Sequence, residues 1–524
     1  MLETAIIGGG VSGLVLARAL HRAGQSFALF EARERLGGRA LSVAAGVDGL
    51  SGDLGPSWYW PQTQPRMRTL ISELGLETLA QHDPGTVRVL EDPDHEPVTR
   101  ATNELHGGAR RLVGGMGALV DALAHELPGE ALHCGHVLRA VHDCGNHVEL
   151  RFEDIETRGF VTVQARRVAL ALPPRLLAEH VRFTPALPAE LLTALVATPT
   201  WMAAQAKVLL GCERAYWREA GHSGNAFAQH AQAVLAEVWD ACDASGGKAA
   251  LGGFLALGPG LRERFGQGLP LLIDNQFARL FGSELEDGVQ HYQDWAQESF
   301  TCSTLDSEQP LNEHPDYDTP ALRAAYWGGR LHFGGAETAA QHGGYLEGAL
   351  EAAARIARRC LNAAEVAASG GDAMLASVDP FDSFIDWVEQ RRGQLAEDYR
   401  GRLNAVLASG QNAQATLHAL LGTVDSFYTD ALMRLGTLAL AAVPAGERVN
   451  LRRALLTPFS GCNSALLGAA LSHNRSSCAL SNFPHEHGPD SGYRRTIELE
   501  LASAWQDFVL DVDERLRGTQ PLAV

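Results

Sequence analysis

The 524-residue sequence holds eight cysteines and no C-x-x-C pair, so neither a disulfide framework nor a zinc knuckle is expected. In a chain of this size, scattered cysteines read as reduced thiols of a cytoplasmic protein. Basic residues are scarce: 43 Lys and Arg stand against 62 Asp and Glu, a formal net charge of −19. That balance argues against nucleic acid or an anionic membrane as a partner. Long apolar runs are missing too. Stretches such as 435–444 are too short and too rich in Ala and Gly to span a bilayer. The first expected strand begins within a few residues of Met1, which leaves no room for a signal peptide. No Ser-His-Asp arrangement, P-loop or paired-carboxylate motif is evident. His485 and His487 lack further ligands at regular spacing, and no metal is expected.

What the chain does carry is concentrated at its start. Residues 4–7 form a short apolar run with β-branched side chains, as in a buried parallel strand. Gly8, Gly10 and Gly13 follow at G-x-G-x-x-G spacing. The first glycine permits a tight turn, the second a close approach of a diphosphate, and the third close packing of helix on strand. Residues 11–23 predict a helix with Leu14, Leu16 and Leu20 on its apolar side, stopped by Gly24. Its free N–H groups and positive dipole end would face the diphosphate. A second strand over 27–30 delivers Glu31, 18 residues beyond Gly13. A carboxylate there can accept from both ribose hydroxyls and repels a 2′-phosphate.

Further along, residues 53–61 make an aromatic loop that contains Gly55, Pro56, Ser57, Trp58, Tyr59 and Trp60. Alternating patterns over 137–141, 148–152 and 160–163 predict strands, and 167–172 a more continuous one. From 187 to about 300 the composition changes to long helical patterns broken by glycine loops, read as an inserted substrate domain. Lys207 lies there in an apolar, strand-like run, where a lysine needs either a buried partner or a stem that snorkels outward. Beyond about 369, Phe384, Trp387, Val388, Leu395, Tyr399, Leu403, Val406 and Leu407 fall mainly on one helical face. More helices are expected near 414–442, 447–457 and 494–516. That face is read as packing on its own chain, with a homodimer interface as the alternative.

Two further motifs carry a resemblance. Arg35-Leu36-Gly37-Gly38-Arg39, directly after the ribose carboxylate, resembles the second dinucleotide motif of FAD enzymes of the amine oxidase type. Residues 334–338 (GGAET) and 344–349 (GYLEGA) resemble the C-terminal flavin motif of the same enzymes. Residues 3–362 are thus similar to the flavin-containing monoamine oxidase family. The resemblance implies FAD held by Gly8, Gly10, Gly13, Glu31, Arg33, Gly38 and Arg39, and by Gly55, Pro56 and Ser57. It adds Val137 near the adenine, and Gly335, Glu337, Tyr345 and Leu346 near the flavin. It also implies that Lys207 holds a water against flavin N5, that Tyr345 stands on the substrate side of the ring, and that Trp58 and Trp60 line the substrate site. The helix opening at residue 345 would aim its positive end at the flavin pyrimidine ring.

Three departures from the family pattern matter. Counted from Trp295, Thr304 stands where some members carry a cysteine bonded to the flavin, which implies non-covalent FAD. Leu305 replaces the second tyrosine of the usual aromatic pair, so an aliphatic wall and a bulky or cyclic amine are expected. His342 replaces a tryptophan.

The expected fold is α/β. A Rossmann-type FAD-binding domain (1–80, 111–175, 316–369) is interleaved with an α+β substrate domain (81–110, 176–315), and an α-helical C-terminal region follows (370–524). The expected reaction oxidises an amine C–N bond to an imine, with O2 as oxidant and hydrogen peroxide as product. A desaturase or oxidase of a ring-containing biosynthetic intermediate, an amino-acid oxidase and a non-catalytic flavoprotein remain alternatives.

Overall fold

The strand Leu2–Ile7, buried over its last four residues, pairs in parallel with Phe27–Phe30 on one side and Phe160–Leu170 on the other. This is seen in a computed structural model that describes residues 1–46, 49–101, 105–311, 313–317, 319–368, 380–408, 414–437, 448–476, 480 and 483–517. The chain forms two compact units, one of residues 1–322 and 333–357, the other of 323–332 and 358–524.

In the first unit, one sheet runs Arg182–Thr184, His136–Asp143, Val148–Asp154, Phe160–Leu170, Leu2–Ile7, Phe27–Phe30, Leu132–His133. The helix Val11–Arg22 lies between the first two parallel strands in sequence and buries Leu14, Leu16, Ala17 and Leu20. Each such leucine removed from water contributes about 1.5–3 kcal/mol. This is the α/β dinucleotide fold, with the glycine turn at the carboxyl end of the first strand.

A second sheet runs Val289–Asp294, Ala206–Cys212, Ala249–Leu255, Leu235–Asp240, His222–Ala228, Thr86–Leu90, Val98–Ala101. It corrects the helical reading of 187–300, five segments of which are strands. The runs are rich in Ala and Gly because packing demands small residues there. A Cβ at Gly252 would stand 2.4 Å from the Trp239 indole. Strand pairing then overrides the helix preference of alanine.

The second unit is helical, with Pro380–Ala408, Ala415–Thr437, Arg448–Leu456, Cys462–Ser476 and Ser491–Arg517 around their own core. Phe384, Val388, Tyr399, Leu403, Leu420, Phe427, Phe459 and Phe508 are buried in it. The Tyr428 and Phe508 rings stack at 4.5 Å. Glu486, between the two loop histidines, is buried and accepts from the Ala415 and Thr416 N–H groups at 3.1 and 2.8 Å. It caps the first turn of Ala415–Thr437, a structural role for the His-Glu-His segment. Leu451–Arg475 is long and apolar enough to cross a membrane by length and composition, with a mean hydropathy of 1.3. It is interrupted by the turn Thr457–Phe459, and it gives Leu455, Phe459, Leu466 and Ala470 to the core.

Candidate active site

Gly8 turns the chain with φ +105, a conformation that favours glycine, and a Cβ there would meet the Ala171 carbonyl at 2.4 Å. Gly10 precedes the helix Val11–Arg22 with no side-chain cap and no acidic residue in the first turn. The helix therefore offers free N–H groups and an uncompensated positive end. A Cβ on Gly10 would meet only Gly38 Cα at 4.0 Å, so it would occupy the cavity in front of that helix.

Glu31 is buried at the end of its strand. Its Oε2 accepts from the Gly9 N–H at 2.6 Å, and its Oε1 from the Arg33 N–H and Nη1 at 3.0 and 3.3 Å. The carboxylate is thus fixed by the loops it joins and keeps lone pairs for a ligand. Arg33 also donates to Glu298 and to Thr301 Oγ1 at 2.7 and 2.8 Å. Arg39 Nη1 lies 2.6 Å from Glu337 Oε1, and among the described residues neither buried Glu337 carboxylate oxygen has a hydrogen-bonding partner.

Lys207 is only 3% exposed. It lies on a fully buried strand, opposite Phe254 on one neighbour and Gln293 on the other. Val208 and Leu210 point into the hydrophobic core, so by the strand's period of two Lys207 points the other way. Its ammonium donates to the Gly55 carbonyl at 2.5 Å and to Ser57 Oγ at 2.8 Å. The Trp239 and Phe254 rings lie 4.9 and 5.0 Å from Nζ. Burial lowers its pKa from 10.5 to about 8, against the opposing pull of Asp53 and Glu237. The buried partner, not the snorkelling stem, is what the chain supplies. A third donor remains, and Lys207 lines the cavity.

One cavity of about 370 Å³ joins these groups. Of the residues singled out in the sequence, Gly8, Gly10, Glu31, Arg33, Gly38, Arg39, Gly55, Pro56, Ser57, Trp58, Trp60, Lys207, Gly335, Glu337, Tyr345 and Leu346 line it. Trp58 is held by Nε1 donation to Gln81 at 2.8 Å, and Trp60 by donation to the His106 carbonyl at 2.9 Å. Tyr345 precedes the helix Leu346–Ala368, its ring stacked on His314 at 4.7 Å. The carboxylate in that helix's first turn, Glu347, faces the Arg66 and Met67 N–H groups instead, at 3.0 and 2.9 Å.

Three expected site residues lie elsewhere. Gly13 does not line the cavity. A Cβ there would fall 1.9 Å from the Gly8 carbonyl, so its work is helix–strand packing. Val137 is buried in its strand opposite Glu153 and contributes no lining. Leu305 forms no pocket wall. Ser303 accepts from the Asp306 N–H and starts the short helix Thr304–Glu308, which turns Thr304 onto Glu179 at 2.7–3.0 Å. In this capped helix neither Thr304 nor Leu305 is among the residues that line the cavity. His342 is not a lining residue either.

Sequence reading missed Trp201, Phe254, Trp295 and Phe300, all of which line the cavity. Trp295 served only as a counting point, although its Nε1 donates to the Leu54 carbonyl at 2.9 Å. Only a spatial partner marks Trp201. A Cβ on Gly344 would stand 2.7 Å from the Trp201 Cβ, so the glycine beside Tyr345 makes room for it.

The residues present fit a flavin dinucleotide. Glycine leaves the space in front of the first helix open, that helix end lacks an acid, and a buried carboxylate oxygen at Glu337 awaits a donor. Fold and site together define a flavin-dependent oxidoreductase. Residues 11–100 and 94–361 match the family model of flavin containing amine oxidoreductases, and the chain belongs to that family. Amine oxidase [flavin-containing] A of Sus scrofa is 24% identical over 466 residues, which cover 69% of this chain and 85% of the relative. Amine oxidase [flavin-containing] B of the same animal is 24% identical over 463 residues, or 69% and 86%. Among solved structures, cyclohexylamine oxidase from Brevibacterium oxydans IH-35A superposes with a TM-score of 0.56 at 19% identity, covering 70% of this chain and 99% of that one. A putrescine oxidase bound to putrescine superposes with a TM-score of 0.54 at 21% identity, covering 70% and 99%. These likenesses carry the fold.

Proposed function

We propose that the enzyme oxidises the C–N bond of an apolar, bulky or cyclic monoamine to an imine, with non-covalent FAD and with O2 as the final oxidant. When bound, the flavin supplies the redox chemistry: it accepts a hydride equivalent from the carbon that bears the nitrogen, and O2 takes the electrons to give hydrogen peroxide. The chain's residues bind, orient and shield. Glu31 and the glycine turn hold the dinucleotide, and Trp58, Trp60 and Tyr345 form aromatic walls that position an amine and exclude water. Lys207 brings a cation, and a proton at Nζ, into a dry aromatic surround.

Charge accounting carries the choice of substrate. Two carboxylates line the cavity, Glu31 beside Arg33 and Glu337 beside Arg39, and this reading gives the free acceptor capacity of both to the dinucleotide. A diamine would need a further carboxylate for its distal ammonium. A free amino acid would need an arginine not already paired. An apolar monoamine that enters neutral needs neither. A cyclohexylamine oxidase and a putrescine oxidase share this fold to nearly the same degree, so the charge accounting and not the likeness carries the choice. Against covalent attachment, Cys302 does not line the cavity, and burial pushes its thiol up to about 12. The cysteines among the described residues are free thiols, which suits a cytoplasmic setting.

The test is peroxide release from a panel of amines at equal concentration. Cyclic apolar monoamines should turn over, while putrescine and free amino acids should fall at least tenfold behind. Preferred turnover of a diamine or an amino acid overturns the reading.

A further inference from the structure

Far from the cavity, the hairpin between His136–Asp143 and Val148–Asp154 gathers metal-binding side chains on one face. His142 and Glu149 are cross-strand partners. The Cys144 N–H donates to the His147 carbonyl at 2.9 Å and closes the turn. By the period of two, His142 and Cys144 share a face on one strand, and His147 and Glu149 share it on the other. The intervening Val141, Val148 and Leu150 are buried in the core, which leaves this face outward. Donor atoms of His142, Cys144 and Glu149 all lie within 4.8 Å of one another. Tetrahedral zinc with N and S ligands sets donors about 3.3–3.8 Å apart, a distance that rotamer changes on exposed side chains can close.

A second observation comes from His147. Its Nδ1 lies 2.6 Å from Asn146 Oδ1, an acceptor, and so is the donor of that bond. Among the described residues its Nε2 has no hydrogen-bonding partner, and it lies 3.9 Å from Glu149 Oε1, within ion-pair distance. Glu149 Oε1 also accepts from Gln164 Nε2 at 2.9 Å, an arrangement that orients a ligating carboxylate from behind.

We propose that His142, Cys144 and Glu149 form a surface site for a divalent transition metal of the zinc type, with water completing the coordination and His147 beside Glu149 at its edge. An imidazole, a thiolate and a carboxylate suit zinc or cobalt and not calcium or magnesium. Binding releases the Cys144 thiol proton to solvent. The site pins the hairpin and takes no part in amine oxidation.

The test adds Co2+ to metal-stripped holoenzyme and reads the difference spectrum. One equivalent should give the intense visible bands of tetrahedral Co2+ and a thiolate charge-transfer band, both erased by added Zn2+. Cys144→Ser should abolish the charge-transfer band, and His142→Ala should weaken Co2+ binding at least tenfold, with amine oxidation unchanged in both. Without any variant, Zn2+ should slow alkylation of Cys144 in the wild type at least tenfold, as read by mass spectrometry. Absent bands, a charge-transfer band that persists in Cys144→Ser, unchanged Co2+ binding in His142→Ala, or an alkylation rate indifferent to Zn2+ each overturn the proposal.

Discussion

Replacing Lys207 by Met tests how the site stores its charge. The lysine's pKa is lowered from 10.5 to about 8. That depression corresponds to about 3 kcal/mol of folding free energy opposed to the charged form. A base whose folded pKa lies below its unfolded value binds fewer protons when folded, so wild-type stability should rise as pH climbs from 8 toward 10.5. The Met variant lacks this term. At neutral pH the variant gains by losing a buried charge, but it leaves the Gly55 carbonyl and Ser57 Oγ without their donor. Each such loss costs about 1–3 kcal/mol, so the difference at any one pH decides little. The slope decides. Denaturant unfolding of both proteins at matched flavin saturation should show the wild type gaining about 3 kcal/mol on the variant between the two pH limits. In stopped flow, Lys207→Met should slow flavin reoxidation far more than flavin reduction. A pH-independent stability difference would mean that the ammonium titrates normally, and equal slowing of both half-reactions would make Lys207 structural.

Glu31→Ala should weaken FAD binding by about 1.5–3 kcal/mol, roughly 10- to 150-fold in Kd by titration of apoenzyme, through loss of charge-assisted bonds. Acid precipitation should carry all flavin into the supernatant; yellow colour on the washed pellet would show a covalent link. Leu305→Tyr should leave the ranking of amines unchanged in a peroxide assay, because the side chain lies outside the cavity. A shift toward flat aromatic amines would return Leu305 to the pocket wall.

The nucleotide end of the site was legible because its chemistry is local. Gly8, Gly10 and Glu31 lie within one strand–helix–strand unit, where each residue's spacing sets its place. Lys207 was legible as an anomaly, a lysine in an apolar run, although its partners at Gly55 and Ser57 come from far along the chain. Leu305 was set at the pocket by counting from Trp295, and counting along the chain does not reveal the Ser303-capped helix that holds it outside the cavity's lining. Trp201 and Phe254 were invisible as site residues because only the tertiary fold brings them to the cavity. The strand at Lys207 was legible as a strand-like run, but those over 222–255 were hidden by alanine and glycine, whose small size here answers to neighbours such as Trp239.

The central claim is that this cavity carries electrons from an apolar monoamine through FAD to O2, and anaerobic mixing tests it most directly. Bleaching of the bound flavin by a cyclic apolar monoamine, with putrescine and free amino acids inert on the same timescale and colour restored by O2, is the predicted result. A flavin that no monoamine bleaches, or one bleached fastest by a diamine or an amino acid, would contradict the account.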